Sequence, residues 1–234
     1  MIMNKSRREE RRDATVNEIK EWAWKLMTEK GPANLSLREI SRRMRMSSAA
    51  LYCYFPNRNA LLESLGMDAF ASQVMALKNM CAMHPENDPL SRLRILGEGY
   101  RQWALEHPVQ YALIFGAPIP GYQPKWENLI PYAQRSLLIL LELISEAFEA
   151  GALVIRPDLF RLPDGLKSYL ENLIASRDYK ITPQALYIGI MVWTRLHGLV
   201  SLELNGQLEI LIGDPAAFFH NELDMFFRSF AAEK

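Results

Sequence analysis

Cysteine is scarce: Cys53 and Cys81 are the only two in 234 residues. Neither has ligand-type neighbours at metal spacing, so neither a disulfide framework nor a cysteine zinc site is indicated, and a reducing cytoplasm is the expected setting. Strand-type alternation of Val, Ile and Thr is nearly absent. No run approaches the roughly 20 apolar residues that span a bilayer. The first ten residues are charged from Lys5 onward with no apolar stretch behind them, unlike a signal peptide, so no membrane partner is expected. Catalytic groupings are missing too. There is no Gly-rich phosphate loop after a strand, no His pair at metal spacing and no Gly-x-Ser-x-Gly elbow. His84, His107, His197 and His220 are scattered, and Glu142, Glu146 and Glu149 share a helix face without the Glu-x-x-His partner of a di-metal site. No enzyme, cofactor or metal is expected.

Net charge is absent only on paper, because 27 Lys/Arg balance 27 Asp/Glu over the chain. Residues 1–60 hold 13 basic and 7 acidic residues, a net of +6, which leaves −6 for the remainder. A basic head on an acidic body suits a protein whose one end meets a polyanion.

What the sequence does have is helical periodicity, with 49% apolar residues recurring three and four apart. The fold class expected is all-α. Val16, Ile19, Ala23, Leu26 and Met27 mark one face of a first helix over Asp13–Lys30, stopped by Gly31-Pro32. Lys5–Arg12 before it reads either as a basic arm near a duplex or as a solvated tail. Ser36 to Glu39 has capping-box spacing and opens a short helix with Leu37, Ile40 and Met44 inward. After a break at residues 45–47, a third helix spans Ser48 to Tyr54 with Leu51 inside, and a long helix follows from Asn59 to about Met83. Further helices are expected at Pro89–Leu105, Pro108–Phe115, Leu129–Glu149, Leu162–Ala175, Pro183–Leu204 and Pro215–Phe230. Three of these starts place a capping side chain before a first-position proline, at Asp88-Pro89, Thr182-Pro183 and Asp214-Pro215.

Two short helices joined by a tight turn, behind a longer first helix, make a tri-helical helix-turn-helix. The string from Met46 through Tyr52-Cys53-Tyr54-Phe55-Pro56 to Leu62, preceded by Leu37-Arg38-Glu39-Ile40-Ser41, resembles the DNA-binding segment of the TetR family of transcriptional repressors over roughly residues 13–65. The family's turn glycine is here Arg45, so either a side chain takes up a costly backbone angle or the turn differs slightly from the family's. Its small residue early in the recognition helix is Ala49. In this arrangement Ser47, Ser48, Ala49 and Ala50 lie nearest the bases, and Tyr52 and Tyr54 reach phosphates. Arg42, Arg43 or Arg45 supplies a guanine contact. The resemblance further implies that Ser36 caps its helix at the DNA surface and that Arg58 holds a phosphate.

The body, with Trp193 one turn before His197-Gly198 and the segment His107 to Tyr122, is similar to the Trp-His-Gly type of regulatory domain. The division expected is a DNA-binding domain at 1–60 and a ligand-binding and dimerisation domain at 61–234. Trp103, Tyr111, Phe115, Tyr122, Trp126, Tyr169 and Met191 are the candidate lining of a pocket for a small hydrophobic effector. Trp193, His197, Phe226 and Phe230 are the candidate dimer contacts, with His197 alternatively in the core or on a pocket wall. The partners expected are a double-stranded DNA operator, a small-molecule effector and a second copy of the chain. A constitutive DNA-binding module whose body only dimerises or binds a protein partner is the alternative.

Overall fold

The computed structural model describes residues 6–85, 88–154 and 161–231. Among them the secondary structure is helical apart from an isolated bridge between Leu153 and Ala231. The helices are α1 (Arg7–Lys30), α2 (Leu37–Arg43), α3 (Ser48–Tyr52), α4 (Arg58–Met83), α5 (Pro89–Glu106), α6 (Pro108–Phe115), α7 (Trp126–Glu149), α8 (Asp164–Arg177), α9 (Pro183–Leu204), α10 (Gln207–Ile212) and α11 (Pro215–Phe230), with a 3-10 turn at Pro32–Asn34.

The three proline-led starts form as expected. Asp88 accepts from the Leu90 and Ser91 amides, Thr182 from Ala185 and Asp214 from Ala217. Other boundaries differ. Helix α1 begins at Arg7 rather than Asp13, because Ser6 and Glu9 form a reciprocal capping box; Lys5 lies outside the described residues. The box expected at Ser36 is only half made. Ser36 Oγ accepts from the Glu39 amide at 3.4 Å, but the Glu39 carboxylate turns to Lys30 and Arg43. Helix α3 ends at Tyr52, α7 starts three residues early, α8 is displaced by two residues, and α10 was not foreseen. Helix α9 corrects a further expectation. Its mean hydropathy of 1.3 over a bilayer-spanning length meets a membrane criterion by composition, yet Leu186, Ile188, Val192, Leu196 and Val200 are spent on the protein interior.

The chain forms two compact units that do not divide at residue 60. One comprises residues 1–71 and 107–132, the other residues 72–106 and 133–234. The physical reason lies in the first unit's core. Ile19, Leu26, Ile40, Leu51, Phe55 and Leu62 are closed over by Val109, Leu113, Ile119 and Tyr122 from the later segment. In the second unit α9 packs against α5 and α8. Close approach is made possible by Gly97 and Gly189, where an added Cβ would meet Leu223 at 2.7 Å and Leu141 at 2.5 Å. Arg101 binds both carboxylate oxygens of Glu203 at 2.5 and 2.8 Å.

The turn between α2 and α3 is a Schellman stop. The Met46 amide donates to Ser41 O at 2.9 Å and the Arg45 amide to Arg42 O at 3.2 Å. That pattern requires a left-handed residue, and Arg45 occupies it with φ 53°. A side chain there costs about 1–2 kcal/mol, partly offset by the lower unfolded-state entropy of a non-glycine. Arg45→Gly is expected to raise stability by about 0.5–1 kcal/mol in urea unfolding; an unchanged or lower midpoint would show that the turn is unstrained.

Candidate nucleic-acid interface

Helix α3 has five residues, and its placement is fixed from both ends. Ser47 Oγ accepts from the Ala50 amide at 3.2 Å, and Leu51 is fully buried in the head core. Ser47, Ser48, Ala49 and Tyr52 are exposed, with Ala50 half-buried, so the short face that meets solvent is the one expected to meet bases. Ser48 Oγ lies 3.2 Å from Ser41 Oγ. Ser41 gives its single proton to Arg38 O at 3.0 Å, which makes Ser48 the donor between the two hydroxyls and leaves its lone pairs free to accept from a base amino group.

The arginines separate into two kinds. Arg42 and Arg45 are exposed. Arg43 is committed: it forks onto Glu29 at 2.9 and 2.6 Å, reaches Glu39 at 3.1 Å and lies 5.7 Å from the Trp22 ring. Its hydrogen bonds to Glu29 raise its pKa further. The same contact lowers the Glu29 carboxyl, and Lys30, then Arg43, lower that of Glu39. Arg43, a guanine-contact candidate by sequence, instead ties α2 to α1.

Arg58 is corrected in the same way. Its guanidinium donates to three main-chain carbonyls, Pro32 at 3.1 Å, Ala33 at 2.8 Å and Pro120 at 3.2 Å. It therefore joins the turn after α1 to the loop after α6, with Asn59 donating to Gly121 O beside it. Tyr54 is half-buried, with the Arg12 guanidinium 5.4 Å from its ring centroid. Arg7, Arg8, Arg11 and Thr15 line a groove with these two. The four arginines lie in the stretch that the sequence leaves open as a basic arm near a duplex or a solvated tail; Thr15 is not among the sequence candidates, and helical spacing is the signal that joins it to them.

The seven candidate pocket residues are not gathered into one cavity within either unit. Tyr111, Phe115, Tyr122 and Trp126 belong to the first unit, and Trp103, Tyr169 and Met191 to the second. Trp103 is buried, donating from Nε1 to Ser72 Oγ at 3.1 Å. Tyr111 packs on Phe115, which meets Phe70 edge-on at 5.8 Å. Burial and the nearby Glu63 carboxylate raise the Tyr122 phenol above its ordinary value. Trp126 and Tyr169 are exposed, 52% and 65%, because each sits on an outward helix face. A cleft of about 430 Å³ does exist in the second unit, between α7 and the α8–α9 turn, but other residues line it, including Leu138, Leu141, Ser145, Glu142, Glu146 and Lys180.

Among the dimer candidates, Phe226 is corrected. It is buried in its own protomer against Phe227 and Phe230, with Arg195 5.1 Å above its ring. Phe230 is half-buried. The apolar side chains that α9 to α11 leave exposed are Trp193, Leu202, Ile210, Leu211, Ile212 and Met225. Trp193 stacks on His197 at 5.5 Å, and His197 Nδ1 is 3.2 Å from Tyr100 Oη.

A capped five-residue helix displayed by a tri-helical head, joined in one chain to a larger helical body, defines a helix-turn-helix DNA-binding regulator. Residues 19–65 match the family described as bacterial regulatory proteins, tetR family, and residues 93–226 match the tetracyclin repressor-like C-terminal domain. The chain belongs to the TetR family of transcriptional regulators and is not an enzyme. It is 26% identical to the HTH-type transcriptional regulator Rv1816 of Mycobacterium tuberculosis over 91% of both chains. It is 33% identical to a regulatory protein designated SCO4313, whose crystal structure superposes with a TM-score of 0.76 over 94% of this chain and 98% of that one. A variant of TetR from Acinetobacter baumannii AYE, solved in complex with minocycline, shares the fold at 16% identity and a TM-score of 0.52, over 90% of this chain and 93% of that one.

Two outcomes follow from this geometry. Arg58→Ala leaves three carbonyls without their donor and is expected to cost about 2 kcal/mol in unfolding free energy, while the salt dependence of DNA binding stays as in wild type. A shallower salt dependence at unchanged stability would return Arg58 to the phosphate backbone. Burial holds the His197 imidazole below its usual 6.5, so the neutral ring is the native form. The stability it supports is full above the unfolded pKa of about 6.5 and is lost as pH falls through that value towards the lowered one. His197→Gln is expected to flatten the fall in melting temperature between about pH 7.5 and 5.5, and a slope equal to wild type would contradict the assignment.

Proposed function

We propose that this regulator is a homodimeric cytoplasmic repressor that binds a pseudo-palindromic operator through α3 and leaves it when a small molecule occupies the body. The observation that carries the reading is the exposed, anchored face of α3. One such face touches few base edges, so two heads on half-sites about 34–36 Å apart supply the specificity that one lacks. Trp193 and Met225, with Leu202 and Ile210, Leu211 and Ile212, are the large apolar side chains that α9 to α11 leave exposed, and a second copy seated on this end of the chain covers part of them. The Trp193–His197 stack beside Tyr100 fits a body of the Trp-His-Gly type.

The effector reading draws on the cleft in the second unit and on the minocycline complex of the TetR relative. The cleft sets apolar Leu138 and Leu141 beside Glu142, Glu146 and Lys180, so an effector seated there has an apolar body and one polar or charged end. Occupancy weakens DNA binding only by the difference in ligand affinity between the DNA-competent state and the released one.

Trp193→Glu together with Met225→Glu is expected to yield a folded monomer by light scattering, with specific DNA affinity reduced at least tenfold. An intact dimer would move the interface elsewhere. For effector release, a library of apolar and amphiphilic compounds is screened by melting temperature and by displacement from DNA. At least one compound is expected to raise the former and cause the latter; compounds that stabilise without displacing would favour the constitutive module.

A further inference from the structure

Helix α1 extends about two turns beyond the head's apolar core, which it first meets near Val16 and Ile19. At 100° per residue, Arg7, Arg11, Thr15, Arg8 and Arg12 fall within an arc of roughly 140°, while Glu9, Asp13 and Glu10 occupy the opposite side. A run that in sequence mixes four arginines with Glu9, Glu10 and Asp13 is sorted by the helix into a basic face and an acidic one. The capping box at Ser6 is what keeps this stretch helical.

The basic face is also concave. Arg7, Arg8, Arg11, Arg12 and Thr15 line a groove of about 520 Å³ whose far wall is Tyr54, two residues beyond the end of α3. Arg12 lies 5.4 Å from the Tyr54 ring centroid, so the groove is anchored to the segment that ends the recognition helix. Four guanidinium groups converging on one trough, with a hydroxyl at Thr15 and a phenol at Tyr54, suit a polyanion whose charges repeat at short intervals. They do not resemble an apolar ligand site.

We propose that this groove seats the phosphodiester backbone flanking the bases that α3 faces, so that each head grips a longer stretch of duplex than α3 alone covers. The proposal rests on the DNA-binding reading of α3, and its contribution is one of affinity and footprint without base preference. Each phosphate neutralised adds about 0.9 to the slope of log affinity against log salt.

The test uses the full chain, the duplex that wild type enriches from a random-sequence pool, and the variant R8A/R11A, which leaves the Arg12–Tyr54 contact in place. Two lost phosphate contacts are expected to lower the salt slope by about 1.8, so that wild-type affinity falls about 12-fold further than the variant's between 50 and 200 mM salt. The variant is expected to enrich the same bases. Trimming the duplex ends is expected to weaken wild type and leave the variant unaffected, and R8K/R11K to restore the slope. Parallel salt slopes, or a changed base preference in the variant, would overturn the proposal while α3 still reads DNA. Loss of binding to phosphatidylglycerol vesicles in the variant, with parallel DNA slopes, would assign the groove to a lipid surface instead. Failure of wild type to enrich any duplex would remove the reading of α3 itself.

Discussion

A helix of five residues cannot hold itself, because nucleation fixes more dihedral angles than so few hydrogen bonds repay. Helix α3 is therefore a property of its surroundings. The Schellman turn at Arg45 aims it, the Ser47 hydroxyl closes its first turn, and Leu51 sinks into a core built by α1, α2 and the start of α4. Every functional statement about this head depends on that one element being presented at a fixed angle. The strained φ at Arg45 is the conformational cost of the turn that aims it.

The arginines show how the same residue type is divided between scaffold and surface. Arg43 and Arg58 are consumed by carboxylates and carbonyls inside the head, whereas Arg42 and Arg45 are exposed. Arg58 matters most for architecture, since it ties the turn after α1 to the loop after α6. It accounts, with Ile119 and Tyr122, for the return of a late segment of chain to the N-terminal unit.

Much of this was legible in the sequence because the signals are local. Proline after a capping side chain marked three helix starts and the Leu37–Leu62 string marked the head, while the replacement of the family's turn glycine by Arg45 left a costly angle and an altered turn both open, of which the structure takes the first. What escaped is non-local or hidden by composition. Nothing near Arg58 in the chain shows that Pro120 comes back to meet it. Aromatic content alone does not say whether Tyr169 faces in or out, and the apolar richness of α11 did not reveal that Phe226 is used within its own protomer. The Arg-Arg-Glu-Glu-Arg-Arg run before Asp13 mixes both signs, and only the helix shows that they sort onto opposite faces.

The central claim is that α3 enters the major groove, twice, on one face of the duplex. Methylation protection of guanine N7, an atom that lies in the major groove, tests it directly on the duplex enriched by the protein. The account predicts two protected patches centred about one helical turn, ~34–36 Å, apart on one face. Binding without N7 protection, or a single patch, would contradict it.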